Sequence, residues 1–390
     1  MLRFTVPRDI YYGNGSLSVL KKLDGKKAML VTGGGAMKRF GFLQTVTEYL
    51  VKGGMQTAVF SDAEPQPSME TVMSGAAAMR EFEPDWIIAI GGGSAIDAAK
   101  AMWIFYEYPD MNFGNLLTPF SLPPLRKKAR FVAIPSTSGT GSAVTSFSVI
   151  TDYAKGIKYP IADYKITPDI AIIDPRAALS MSKLLTSHTG MDVLSNAIEA
   201  YVSTLSTPFT DPLALKAAQM VFEYLPSSFE GDVRAREKMH YAQCIAGMSF
   251  SNAFLGVAHS LANKTCVTFS TGNIPHGCAN AIYLPYVIKY NSMVAASKYA
   301  DIARAIGLEG SKEELIQGLC NKIKELNAVF SIPDCLSDFG IDEEEFNRKL
   351  PDIARSAAAD VCTASNPRHT TAHDMERLLK CIYYGQDVDF

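Results

Sequence analysis

Two histidine-bearing stretches and one acidic stretch carry the residue types that could do chemistry: Gly-Met-Asp192-Val-Leu-Ser-Asn196, Gly-Val-Ala-His259-Ser-Leu-Ala-Asn263, and Ile-Pro-His276-Gly-Cys-Ala-Asn280. Asp192, His259 and His276 make a two-histidine, one-carboxylate set, a composition suited to Fe(II) or Zn(II). Asn196 follows Asp192 by four residues, and Asn263 follows His259 by four. On a helix this spacing puts each asparagine on the same face as the candidate ligand. Histidine would be the natural choice at both places, because it binds a metal and moves protons near neutral pH.

Glycine-rich turns come earlier in the chain. Ile-Ala-Ile-Gly91-Gly92-Gly93-Ser94-Ala-Ile-Asp97 reads as strand, turn, helix. Glycines there let the backbone approach a diphosphate, and the start of the following helix favours its charge. The Gly-x-Gly-x-x-Gly fingerprint is not met, because Ile96 occupies its third position. Val-Thr-Gly33-Gly34-Gly35-Ala-Met-Lys38-Arg39 is a second cluster. It has no acid to hold a ribose 2′-hydroxyl and has two bases nearby, which favours NADP(H) over NAD(H). Pro135-Ser-Thr137-Ser-Gly-Thr140-Gly-Ser142 is a third loop of small residues. Any one of these is compatible with an ordinary tight turn. Three of them after three strands point to one nucleotide site.

The elements that must position these residues fall into two groups. Short apolar runs at 27–32, 57–60, 85–90 and 131–134 read as buried strands, with helical patterns such as Met69–Glu81 and Ser94–Phe105 between them. This alternation predicts an α/β domain over 1–180 with a mainly parallel sheet and helices on both faces. Tyr11-Tyr-Gly-Asn-Gly-Ser16 carries a hairpin turn signal. After Asp174-Pro175 the Ile, Val and Thr runs thin out. Long helical patterns follow, as at Asp211–Tyr224, Arg234–Asn252 and Lys312–Leu326, so an all-helical domain is expected over 181–390. A cleft between two such domains is a common place for a ligand.

Bulk properties narrow the function classes. The 390 residues are 47% hydrophobic, with a net charge of −3, so neither a nucleic acid nor an anionic membrane surface is an expected partner. No apolar run reaches the roughly 18 residues of a membrane span. Seven cysteines without a Cys-x-x-Cys pair suggest no disulfide framework, and a cytoplasmic location is expected.

Together these motifs resemble the iron-containing, group III metal-dependent alcohol dehydrogenases, with the likeness greatest to butanol-dehydrogenase-like members and to the alcohol dehydrogenase half of aldehyde-alcohol dehydrogenases. The resemblance runs from Phe-Gly-Phe after the first glycine cluster to the tail Cys362-Thr-Ala-Ser-Asn-Pro-Arg368. It implies a Rossmann-like α/β domain followed by a helical one in a dehydroquinate synthase-like architecture, a homodimer, a small alcohol or aldehyde as substrate, and a site in the cleft. Gly33, Gly34, Gly35, Gly92, Gly93, Ser94, Asp97, Thr137, Thr140 and Lys158 would meet the cofactor. Asp192, Asn196, His259 and His276 would hold Fe(II) or Zn(II), and Asp97 and Asn263 are the catalytic candidates. The resemblance also marks departures: asparagine for histidine at 196, 263 and 273, Ala143 for glutamate, and Cys266 for glycine. Three outcomes follow from them: a dehydrogenase with a weakened metal site, a metal-free reductase, or a non-catalytic nucleotide-binding relative.

Overall fold

The computed structural model describes residues 3–153, 157–266, 268–270 and 273–390. The chain divides into two compact units, Met1–Met181 and Ser182–Phe390.

The first unit is built on β1 (Asp9–Tyr12), β2 (Lys27–Val31), α1 (Ala36–Arg39), α2 (Phe42–Lys52), β3 (Gln56–Phe60), α3 (Met69–Phe82), β4 (Trp86–Gly91), α4 (Gly93–Glu107), β5 (Arg130–Pro135), β6 (Phe147–Asp152), β7 (Ile157–Ala162) and β8 (Ile170–Ile173). Six strands form one parallel sheet in the order β1-β8-β5-β4-β2-β3, while β6 and β7 form a separate antiparallel pair. Every residue of β4 is buried, as expected for a strand covered on both faces. Alternation along the strands sorts the two layers. Ile88, Ile90, Val132 and Ile134 pack with Leu17, Leu20, Val46 and Leu50, whereas Phe131, on the other face of β5, meets Trp103 of α4 with ring centroids 5.3 Å apart.

The hairpin expected at Tyr11–Ser16 does not form. β1 pairs in parallel with β8, and the chain after Gly15 turns into a 3₁₀ helix over Ser16–Lys22. The Asp174 carboxylate accepts the N–H groups of Gly15 and Leu17, and Leu17 and Leu20, three residues apart, are both fully buried. That spacing suits a three-residue turn and not an alternating strand.

The second unit contains α5 (Lys183–Val202), α6 (Asp211–Glu230), α7 (Val233–Ala253), α8 (Val257–Thr265), α9 (His276–Ala305), α10 (Lys312–Val329), α11 (Glu343–Ala358) and α12 (Ala372–Tyr384), with no strand among its described residues. Its core runs through α5, α6, α7, α9 and α10, from Leu194 and Ile198 to Leu319 and Ile323. α8 turns 102° away from α7, across a bend where Phe254 takes φ 60°. No single helix among the described residues is long and apolar enough to cross a membrane.

Candidate functional site

In the second unit the three expected ligands come together. One ligand atom from each of Asp192, His259 and His276 lies within 4.8 Å of the others. Asp192 Oδ1 stands 3.7 Å from His259 Nε2 and 3.9 Å from His276 Nε2. Donors held about 2.0–2.2 Å from one ion lie at most about 4 Å apart, so the set closes on a divalent cation with a small inward movement. Asp192 and His259 are buried and His276 is half-buried, so the exposed edge of the cluster lies at His276.

The backbone brings the three helices close. At Gly277 a Cβ would fall 1.9 Å from the carbonyl oxygen of His188, so α9 begins against α5 where only glycine fits. At Gly256 a Cβ would meet the Glu199 carboxylate at 2.7 Å. Glu199 lies two turns beyond Asp192 on α5 and caps the start of α8, accepting the N–H groups of Gly256 at 3.0 Å and Ala258 at 2.7 Å. The same carboxylate stands 2.5 Å from His259 Nδ1. This contact fixes the ring so that Nε2 faces Asp192, the outer support that metal-binding histidines usually have. The tail motif braces the same turn: Asn366 accepts Val257 N–H and is paired amide to amide with Asn291.

Asn280 completes the cluster. Its Nδ2 donates to Asp192 Oδ1 at 3.0 Å and lies 3.1 Å from His259 Nε2, and the residue is fully buried. Sequence reasoning gave Asn280 no role, although it follows His276 by four residues, the spacing that singled out Asn196 and Asn263. Burial opposes the charge of His259, but Asp192 and Glu199 outweigh it and raise its pKa to about 9. Burial also works against ionisation of Asp192, yet the two histidines and Asn280 hold its pKa below the usual carboxylate value. The Asp192 and Glu199 carboxyl groups flank the His259 ring from its two nitrogens in a buried setting that favours a cation. The donor set therefore fits a metal.

Asn196 is buried on α5 one turn after Asp192, and Asn263 is partly buried on α8 one turn after His259. Asn273 is exposed.

In the first unit the three small-residue loops follow β2, β4 and β5, neighbours in a parallel sheet, so all three emerge at one sheet edge. β3 lies on one side of β2 and β4 on the other, which makes a topological switch point, where ligands of open α/β sheets bind. The loops are tight. At Gly33 a Cβ would overlap the Ala63 carbonyl, Gly34 and Gly35 have φ near +67°, and at Gly93 a Cβ would lie 2.7 Å from Thr140 Oγ1. Gly92 precedes α4 without a side-chain cap, leaving the first N–H groups of α4 available to an anion. Ser94 Oγ accepts Gln66 N–H, Thr137 packs beside Gly92, and Thr140 is exposed. Lys38 and Arg39 are both exposed on α1.

Asp97 accepts Val149 N–H at 3.1 Å through Oδ2, while Oδ1 is buried with no hydrogen-bond partner. Burial pushes its carboxyl up to about 6, against the pull of Lys100 and the Val149 N–H. The fully buried Lys100 gives its Nζ to the carbonyls of Thr145 and Phe147, tying α4 to the start of β6. Lys158 lies in β7 opposite Thr151, and its side chain is outside the described residues.

Residues 7–175 match the iron-containing alcohol dehydrogenase family, and residues 186–383 match the C-terminal part of the Fe-containing alcohol dehydrogenase family. The chain is 58% identical over 391 residues to an NADPH-dependent butanol dehydrogenase of Clostridium saccharobutylicum, covering 100% of both. It is 43% identical to an aldehyde-alcohol dehydrogenase of Streptococcus pneumoniae, covering 97% of this chain but 46% of that protein. Among solved structures, an iron-containing alcohol dehydrogenase from Thermococcus thioreducens superposes with a TM-score of 0.90 at 36% identity, over 99% of this chain and 100% of that one.

Proposed function

The chain belongs to the iron-containing alcohol dehydrogenase family, and from that premise we propose that it is an NADP(H)-dependent reductase of small aldehydes, and dehydrogenase of the corresponding primary alcohols, whose divalent metal site is weakened at Asn196. The observation that carries this reading is the convergence of Asp192, His259 and His276, with Glu199 holding the far nitrogen of His259. Three protein ligands with an open position suffice for a catalytic metal, so the asparagine at 196 lowers affinity without abolishing the site.

Bound Fe(II) or Zn(II) supplies a Lewis acid for a substrate oxygen, and the nicotinamide supplies or takes the hydride. The chain does the rest. Asp192, His259 and His276 are the ligands, with Asn196 offering an amide oxygen that is harder and weaker than imidazole. Asn280 orients Asp192. Asn263 positions the substrate hydroxyl but holds its own protons, so water carries the proton that a histidine there would relay. The N–H groups of Gly93 and Ser94 at the start of α4 take the diphosphate, with Gly33, Gly34, Gly35 and Gly92 allowing close approach. Thr137 and Thr140 line the cofactor path, and the unpartnered Oδ1 of Asp97 accepts a cofactor hydroxyl. Asp97 is by sequence both a catalytic and a cofactor-binding candidate, and the buried carboxyl favours the second role in this reading. Lys38 and Arg39 face a 2′-phosphate, in keeping with a 58%-identical relative described as NADPH-dependent. A homodimer is part of the same proposal.

The test is aldehyde-dependent NADPH oxidation by protein loaded anaerobically with Fe(II) or Zn(II), beside a chelated sample. Turnover only with metal is expected. Equal turnover after chelation would overturn the metal role, and no turnover with several short aldehydes would overturn the enzymatic reading.

A further inference from the structure

The two candidate ligand histidines differ in what holds them from behind. For His259 it is the Glu199 carboxylate, 2.5 Å from Nδ1. For His276 the atom next to Nδ1 is a thiol sulfur, Cys266 Sγ, at 3.7 Å. Cys266 is buried and ends α8 with helical backbone angles, and its N–H bonds to the Ala262 carbonyl. Its own carbonyl accepts Ile274 N–H at 3.0 Å, so the chain that leaves α8 returns to Cys266 before α9 begins at His276. One residue thus closes the loop with its backbone and touches the ligand histidine with its side chain.

We propose that Cys266 is a positioning residue for metal binding by His276. A neutral imidazole that offers Nε2 to a metal must carry its proton on Nδ1, and that proton needs an acceptor. The sulfur of Cys266 accepts it and keeps Nε2 directed toward Asp192. A thiol is a weak acceptor as well as a weak donor, so it supports the ring without adding negative charge. The site then has one carboxylate-backed and one thiol-backed histidine. Glycine at 266, the residue the family resemblance leads one to expect, would leave His276 without this partner.

The inference rests on the metal-binding reading given above. Its test is Zn(II) affinity, measured by competition with a chromophoric chelator on the full chain and on three variants. Cys266→Ser keeps a polar atom that can accept the proton, Cys266→Ala removes it, and Cys266→Val fills the space with carbon alone. The expected result is Zn(II) binding about 10-fold weaker in both Cys266→Ala and Cys266→Val, the lower end of what losing such a partner costs, with Cys266→Ser close to the parent. NADPH affinity should be unchanged in all three. Thermal melting identifies a variant that fails to fold, and the alanine and valine variants back each other up. If the parent binds Zn(II) and the alanine and valine variants bind it equally well, this inference fails and the metal site stands. Equal weakening in Cys266→Ser makes the role one of packing and overturns the hydrogen bond. No Zn(II) binding by the parent overturns both the inference and the metal-binding reading.

Discussion

Asn196 stands one turn beyond Asp192 on α5 and is almost fully buried, so its amide cannot exchange freely with water. A neutral amide oxygen in that place would contribute little to holding Fe(II) or Zn(II), and on the proposed reading a bound metal would depend on three side chains. Asn196→His should restore a fourth strong ligand and tighten Zn(II) binding by ~10-fold or more, measured by chelator competition at fixed pH. Unchanged affinity would show that residue 196 does not face the metal. At this scale the candidate ligand set, two histidines and an aspartate, was legible from residue type, and the structure brings the three together. Glu199 was only half legible. Its place two turns after Asp192 suggests a role within α5. The groups it holds, Gly256 N–H, Ala258 N–H and His259 Nδ1, come from almost sixty residues away, where no local periodicity reaches. Cys266 and His276 meet for the same reason, through a loop closure that spacing does not announce.

Among the elements, β2, β3, β4 and β5 were readable because continuous apolar runs bounded by polar or glycine residues have few alternatives to a buried strand. The four-residue strands β1 and β8, and the β6–β7 pair, were not, since their length carries too little pattern, and the hairpin signal at Gly13-Asn14-Gly15 led into a 3₁₀ helix. An element-scale device also supports the site. Glu345 on α11 accepts Ser270 N–H at 3.0 Å and Ser270 Oγ at 2.7 Å, and Lys349, one turn on, bonds both Glu345 and the Thr268 carbonyl. The clamp grips the segment that joins the His259 helix to the His276 helix. Lys349 and Ser270 hold the Glu345 carboxyl down at about 2, below its ordinary value of about 4.5. A carboxyl depressed in the folded state contributes stability above its unfolded pKa and loses it as pH falls through the folded one. Glu345→Gln should therefore melt earlier than the parent at pH 7. The difference should shrink as the pH is lowered from about 4.5 toward 2, as followed by circular dichroism. A difference that stays constant over that range would remove the charge from the explanation.

Across the whole molecule, the division at Met181–Ser182 leaves the two candidate sites in different units. The first unit has its own core beneath the sheet, and the loops after β2, β4 and β5 emerge at its switch point. The second has a helical core of its own, and its candidate metal ligands come from α5, α8 and α9. A ligand that binds only the folded state stabilises what it touches by RT ln(1 + [L]/Kd), about 2.7 kcal/mol at a hundredfold excess over Kd. That free energy slows the local openings through which amide hydrogens exchange. Adding NADPH to the full chain should slow exchange in peptides containing Gly33–Arg39, Gly91–Lys100 and Pro135–Ser142. Adding Zn(II) should slow it around His188–Glu199, Gly256–Thr265 and His276–Asn280. Hydrogen exchange read by mass spectrometry separates the two sets in one experiment. NADPH protection confined to the helical unit would move the nucleotide off the switch point. Zn(II) protection absent from any one of the three helices would mean that its residue, Asp192, His259 or His276, is not a ligand.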